Sequence, residues 1–172
     1  MAGVMKPSVA ELMGTFALTL IGGAVIANGQ AGLVGVAFAH GVTLMVMIYV
    51  LGGISGAHVN PAVTLGLALG KKIRWLIAAL YWIAQFVGAS IAGFVLLIIF
   101  PDPSAKTGFL GTPTLASTGS PFTGIFIKVI FTFFLVLVVF LRFQTFRFRE
   151  LARWAVIHTH SSAVQQFTQR KE

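Results

Sequence analysis

Four long apolar stretches set the frame of this chain. Residues 9–27, 33–51, 75–100 and 122–141 are runs of Leu, Ile, Val, Ala, Phe and Gly with few polar interruptions. Each is close to the about 20 residues that a helix needs to cross a bilayer. The pattern predicts four spanning helices. Residues 28–32 read as a tight turn, and residues 101–121, rich in Pro, Gly, Ser and Thr, as a loop outside the membrane. The first stretch carries Glu11, lacks a small-residue cleavage pattern and is too long for the apolar core of a signal peptide.

Residues 52–70 are of a different kind: Gly-rich, uncharged and too short to span. Asn60 is a favoured helix N-cap and Pro61 a favoured first helical residue. A helix over 61–69 would be about 13 Å long, half a bilayer. Non-helical backbone is tolerated at that depth only where protein or water satisfies it, so the segment reads as re-entrant. The carbonyls of Gly56, Ala57 and His58 and the Asn60 amide would then face a water-filled path. The half-helix N-terminus would add positive potential against cations and protons. The same residues taken alone also suit a plain interfacial turn capped by Asn-Pro.

Composition removes the other classes. Hydrophobic residues make up 57% of the 172 and charged residues 9%, against roughly 25% charged in soluble proteins. The absence of Cys excludes disulfides, thiolate metal sites and a Cys nucleophile. His158 and His160 have no third metal ligand near them in sequence, and the spans hold one carboxylate, Glu11, with no second group for acid–base chemistry. An enzyme, a metal centre and a cofactor are therefore not expected. Net charge is +8. If the spans alternate, Lys6, Lys71, Lys72, Arg74 and the six basic residues from Arg142 onward share one side, against Lys106 on the other. That bias predicts an integral membrane protein with both termini cytoplasmic. Its partner is the lipid bilayer rather than nucleic acid, for which the basic tail carries no motif.

The string Ile54-Ser55-Gly56-Ala57-His58-Val59-Asn60-Pro61-Ala62-Val63-Thr64 resembles the first signature loop of the aquaporin and glycerol-facilitator family, the major intrinsic proteins. Residues 10–16 (AELMGTF), 38–41 (FAHG) and 84–89 (AQFVGA) are similar to the family's first, second and third helices. The resemblance implies an all-α, aquaporin-like membrane protein with four transmembrane helices and one re-entrant half-helix. It makes Asn60, Pro61 and Ala62 the first signature motif, His58 the loop histidine beside the pore, and His40 an outer selectivity-filter residue, as in plant vacuolar-membrane members. Glu11 and Gln85 would support the loop. Taken from the residues alone, Glu11 either lines a path or satisfies loop backbone, and His40 and His58 are either pore-facing or bonded in the core.

An internal repeat agrees with this. Thr15, Phe16 and Leu18 recur as Thr132, Phe133 and Leu135 at a constant offset of 117, the mark of an inverted-repeat transport fold. The offset pairs Glu11 with Lys128 and puts a second Asn-Pro-Ala near position 177, beyond residue 172. The expectation is a family member truncated after its fourth helix. Residues 1–142 would form the transmembrane region, and residues 143–172 a basic cytoplasmic tail whose Phe148, Leu151, Trp154 and Ala155 could form an interfacial helical face. The implied function is a passive channel for water or a small neutral solute, as a homo-oligomer or a hetero-oligomer with a full-length relative. The alternative is a non-conducting subunit that docks on full-length channels through small-residue faces such as Ala84, Gly88 and Ala92.

Overall fold

The computed structural model describes residues 2–101, 108–112 and 120–142, and every element among them is helical. These are α1 (Ala2–Asn28), α2 (Gly32–Leu51), α3 (Pro61–Leu69), α4 (Trp75–Ile99), α5 (Gly108–Gly111) and α6 (Pro121–Arg142). Helices α1, α2, α4 and α6 are long and apolar enough to cross a membrane. With α3 as the short half-helix, the protein is the all-α membrane protein that the hydrophobic pattern predicts. The chain divides into two units, Met1–Val136 and Leu137–Glu172. The proposed tail 143–172, with its His pair and interfacial face, lies outside the described residues.

Boundaries differ from expectation where backbone chemistry overrides hydropathy. Helix α1 starts well before its apolar run and continues through Pro7. Proline deletes only one ladder hydrogen bond so close to a helix start. The Ser8 hydroxyl donates to the Val4 carbonyl at 2.9 Å nearby. Helix α4 stops at Ile99 because Phe100 precedes Pro101, which pushes it out of helical geometry to φ −121°, ψ 78°. The loop after α4 contains α5, a single turn that hydropathy could not reveal. Gly111 of that turn approaches the backbone of Gly23 in α1.

The centre of the fold is the α1–α4 pair. Helix α4 buries Tyr81, Ala84, Gln85, Gly88, Ala92 and Leu96, a stripe at helical spacing. Helix α1 answers with Ala10, Glu11 and Thr15. Small residues let the two backbones approach, which is how helices associate where lipid removes the hydrophobic drive. A side chain at Gly88 would meet the Leu12 carbonyl oxygen of α1. The Ala84–Gly88–Ala92 face is therefore occupied within the chain. It is not available as the docking face that a non-conducting subunit would use. Among the described residues Glu11 and Lys128 form no pair: Glu11 is fully buried, and Lys128 lies exposed on α6.

Candidate functional site

The site is built on residues 52–60, between α2 and α3. Helix α2 winds down through Ile54 and Ser55, whose amides both donate to the Leu51 carbonyl. The chain then takes positive φ at Gly56 (91°), Ala57 (49°) and Val59 (40°). For a β-branched residue such as Val59 this is a genuine outlier, and it persists only where the surroundings over-determine it.

Glu11 supplies that determination. Its Oε1 accepts from the Ser55 hydroxyl at 2.6 Å and the His58 amide at 2.9 Å. Its Oε2 accepts from the Val59 amide at 2.7 Å and Gln85 Nε2 at 2.8 Å. Ser55 Oγ in turn accepts from the Ala57 amide at 3.0 Å. Three consecutive loop amides thus point at α1, held directly or through one hydroxyl by a single carboxylate. An ionised carboxylate is acceptor-only and has room for four donors. The Gly56 and Ala57 carbonyls accept no hydrogen bond among the described residues.

Asn60 starts α3 in the expected way. It is extended (φ −156°, ψ 126°), and its side-chain oxygen accepts from the Ala62 amide at 2.8 Å and the Val63 amide at 3.4 Å. Capping fixes Oδ1 as the acceptor, so the Nδ2 donors point elsewhere, and they have no partner among the described residues. Asn60, Pro61 and Ala62 are all partly exposed.

Thr64, one turn on, is fully buried and ties three elements together. Its hydroxyl donates to the Asn60 carbonyl at 3.1 Å and accepts from Gln85 Nε2 at 3.0 Å. His58 Nδ1 lies 3.1 Å from the same oxygen. With the hydroxyl proton committed to Asn60, Nδ1 must be the donor. The His58 ring is enclosed, edge-on to Tyr81 at 5.1 Å. The structure thus places the His58 side chain in the loop's support rather than on an open surface.

Sequence reasoning missed four of these residues: Ser55 and Thr64 as relays, and Tyr81 and Trp82 as donors. The Tyr81 hydroxyl donates to the Ser55 carbonyl at 3.0 Å and Trp82 Nε1 to the Pro61 carbonyl at 3.0 Å. The signal was present, since Tyr81 lies one turn before Gln85 on the same face of α4 and Thr64 one turn after Asn60. Tyr81→Phe should weaken protection of the loop amides by about 1 kcal/mol, the net worth of one hydrogen bond, in hydrogen-exchange mass spectrometry. No change would mean that bond contributes nothing.

His40 stands apart from this network. It is half-buried on α2, with Nδ1 3.0 Å from the Val36 carbonyl. Its ring edge rests on Gly22 of α1. Gly22 is eleven residues beyond Glu11, about 16 Å along the helix. The described site therefore has two levels along α1, the loop at Glu11 and the histidine at Gly22.

Comparison with known proteins shows the family. The family model for the major intrinsic proteins matches residues 2–160. The chain is 40% identical over 147 residues to the probable aquaporin TIP2-1 of Oryza sativa subsp. japonica, covering 79% of this chain and 56% of that protein. It is 40% identical over 136 residues to aquaporin NIP1-1 of Zea mays, covering 76% and 46%. It is 37% identical over 145 residues to aquaporin Z of Brucella melitensis biotype 1, covering 76% and 62%. The chain spans about half the length of the curated relatives it matches. With the family model covering residues 2–160, this chain belongs to the major intrinsic protein family.

Proposed function

We propose that the chain contributes the first signature loop of a passive channel for water or small uncharged solutes. The family is one of channels and not of enzymes. The observation that carries the reading is the buttressed loop. Its amides are drawn to Glu11, while the Gly56 and Ala57 carbonyls and the Asn60 Nδ2 donors are left over. Acceptors followed by donors along a path can replace a water's hydrogen bonds as it passes, and the N-terminus of α3 disfavours cations there. In this reading His58 contributes main chain to the path, and His40 stands at a second level. Glu11 and Gln85 support the loop from behind.

Both termini are assigned to the cytoplasmic side by the charge bias. Because the chain has no cysteine, single Cys substitutions labelled by an impermeant maleimide test that assignment directly. Assembly, as a homo-oligomer or with a full-length relative, is part of this reading. The relatives named above are all aquaporins by name, and none lends support to a non-conducting role.

The test is osmotic shrinkage of proteoliposomes, with Asn60→Asp beside the unsubstituted chain. Aspartate keeps the capping oxygen, so the half-helix persists, but it loses both Nδ2 donors and adds negative charge. Expected are faster shrinkage than protein-free vesicles and a return to the lipid rate in N60D. Equal rates for the two proteins would remove the loop from the path.

A further inference from the structure

The contact between α2 and α1 at His40 carries a consequence for a residue with no side chain. A Cβ built on Gly22 would run into His40 Nε2 and lie 2.6 Å from Cε1 and 2.8 Å from Cδ2. All three are ring atoms along one edge, so the imidazole occupies the volume a side chain at 22 would need. On its other side the ring is tied to its own helix, Nδ1 lying 3.0 Å from the Val36 carbonyl. A carbonyl only accepts, so Nδ1 carries the proton, and Nε2 of the neutral ring is the acceptor lying against Gly22.

We propose that Gly22 is the positioning residue for His40. The bare backbone at 22 forms a notch that lets the ring lie back on α1, and the residue at 22 sets how far the imidazole projects from the helix pair. The consequence for permeation rests on the channel reading given above. The placement of the ring does not.

The contrast with Gly88 makes this testable. There the obstacle to a side chain is the backbone of α1, so substitution must move a helix. At Gly22 the obstacle is the far end of one side chain, which can swing at little cost. Alanine is also the better helix former. Gly22→Ala should therefore leave the fold intact and displace the ring.

The experiment is carbethoxylation of the full chain in proteoliposomes with diethyl pyrocarbonate, a reagent for neutral imidazole nitrogen, quantified per histidine by peptide mass spectrometry. In the unsubstituted chain His40 Nδ1 is held by the Val36 carbonyl and Nε2 lies against Gly22. In G22A, His40 should react severalfold faster, with His58 as the unchanged internal control. Equal His40 rates in a folded G22A chain would overturn the proposal. Permeation adds a second readout. G22A should lower passage of a solute larger than water, such as urea, by about tenfold relative to water, the discrimination a methyl group gives in a close-fitting site. In a His40→Ala background Gly22→Ala should have no further effect, and an equal effect there would show that residue 22 acts through helix packing instead. If none of the proteins conducts, the channel reading fails, and the carbethoxylation rates still decide the placement of His40.

Discussion

Glu11→Ala should open the re-entrant loop while leaving the helices in place. Four donors converge on the carboxylate. Ser55 and Gln85 can turn to other acceptors when it is removed, but the His58 and Val59 amides are fixed by the backbone and buried. Each stranded buried donor is destabilising by about 1–3 kcal/mol. The two together cost about 2–6 kcal/mol, enough to release the positive φ at Val59. Hydrogen exchange at His58 and Val59 should accelerate on the order of 10²-fold, since each 1.4 kcal/mol is a factor of ten in the opening equilibrium. Far-UV circular dichroism should barely change, because α1 and α4 still pack through Ala10, Ala84, Gly88 and Ala92. Glu11→Gln gives the second reading. Its amide offers one acceptor oxygen and turns an NH2 group toward donors, so it recovers only part of the protection. Unchanged exchange in E11A would mean that the loop holds its own shape.

Much of this could be read from the residues, for identifiable reasons. Spans of about 20 apolar residues announce themselves by length alone, and all four are helices here. Asn60 and Pro61 carry cap chemistry that is local, so α3 begins and ends where the sequence says. Glu11 and Gln85 are polar groups in apolar helices, which marks them for a buried role, but nothing in their spacing says that both reach the same loop. That meeting depends on how α1 and α4 cross. For the same reason nothing in the sequence singled out Tyr81 and Trp82, although they donate to the Ser55 and Pro61 carbonyls. For His58 the residues alone left a path-side and a core placement open, and the ring packs against Thr64 and Tyr81. Gly22 was invisible in principle, because its role lies in volume left for another helix. The small-residue stripe on α4 was legible as a packing face. Its partner was not, and it proves to be the chain's own α1.

The second large effect belongs to that stripe. Gly88→Val should destabilise the α1–α4 pair and, through it, the loop. A Cβ at 88 would overlap the Leu12 carbonyl oxygen, with Leu12 C at 3.1 Å and Phe16 N at 3.2 Å. All three are backbone atoms, so no rotamer can relieve the overlap and the helices must separate. Overpacking of this kind costs about 1–3 kcal/mol, and the more favourable helix propensity of a non-glycine residue offsets less than about 1 kcal/mol of it. Separation also acts one turn away. Gln85 Nε2 reaches Glu11 Oε2 across the same interface at 2.8 Å, and a hydrogen bond does not survive stretching by an ångström. G88V should therefore lower the thermal midpoint in detergent and raise exchange at His58 and Val59, two residues it never touches. Gly93, on the same helix, is the control, since a side chain there meets nothing within 4 Å. Gly93→Val should leave both readouts near those of the unsubstituted chain. If the two valine variants behaved alike, the close approach at Gly88 would not be what holds α1 against α4, and the loop's support would have to come from Glu11 alone.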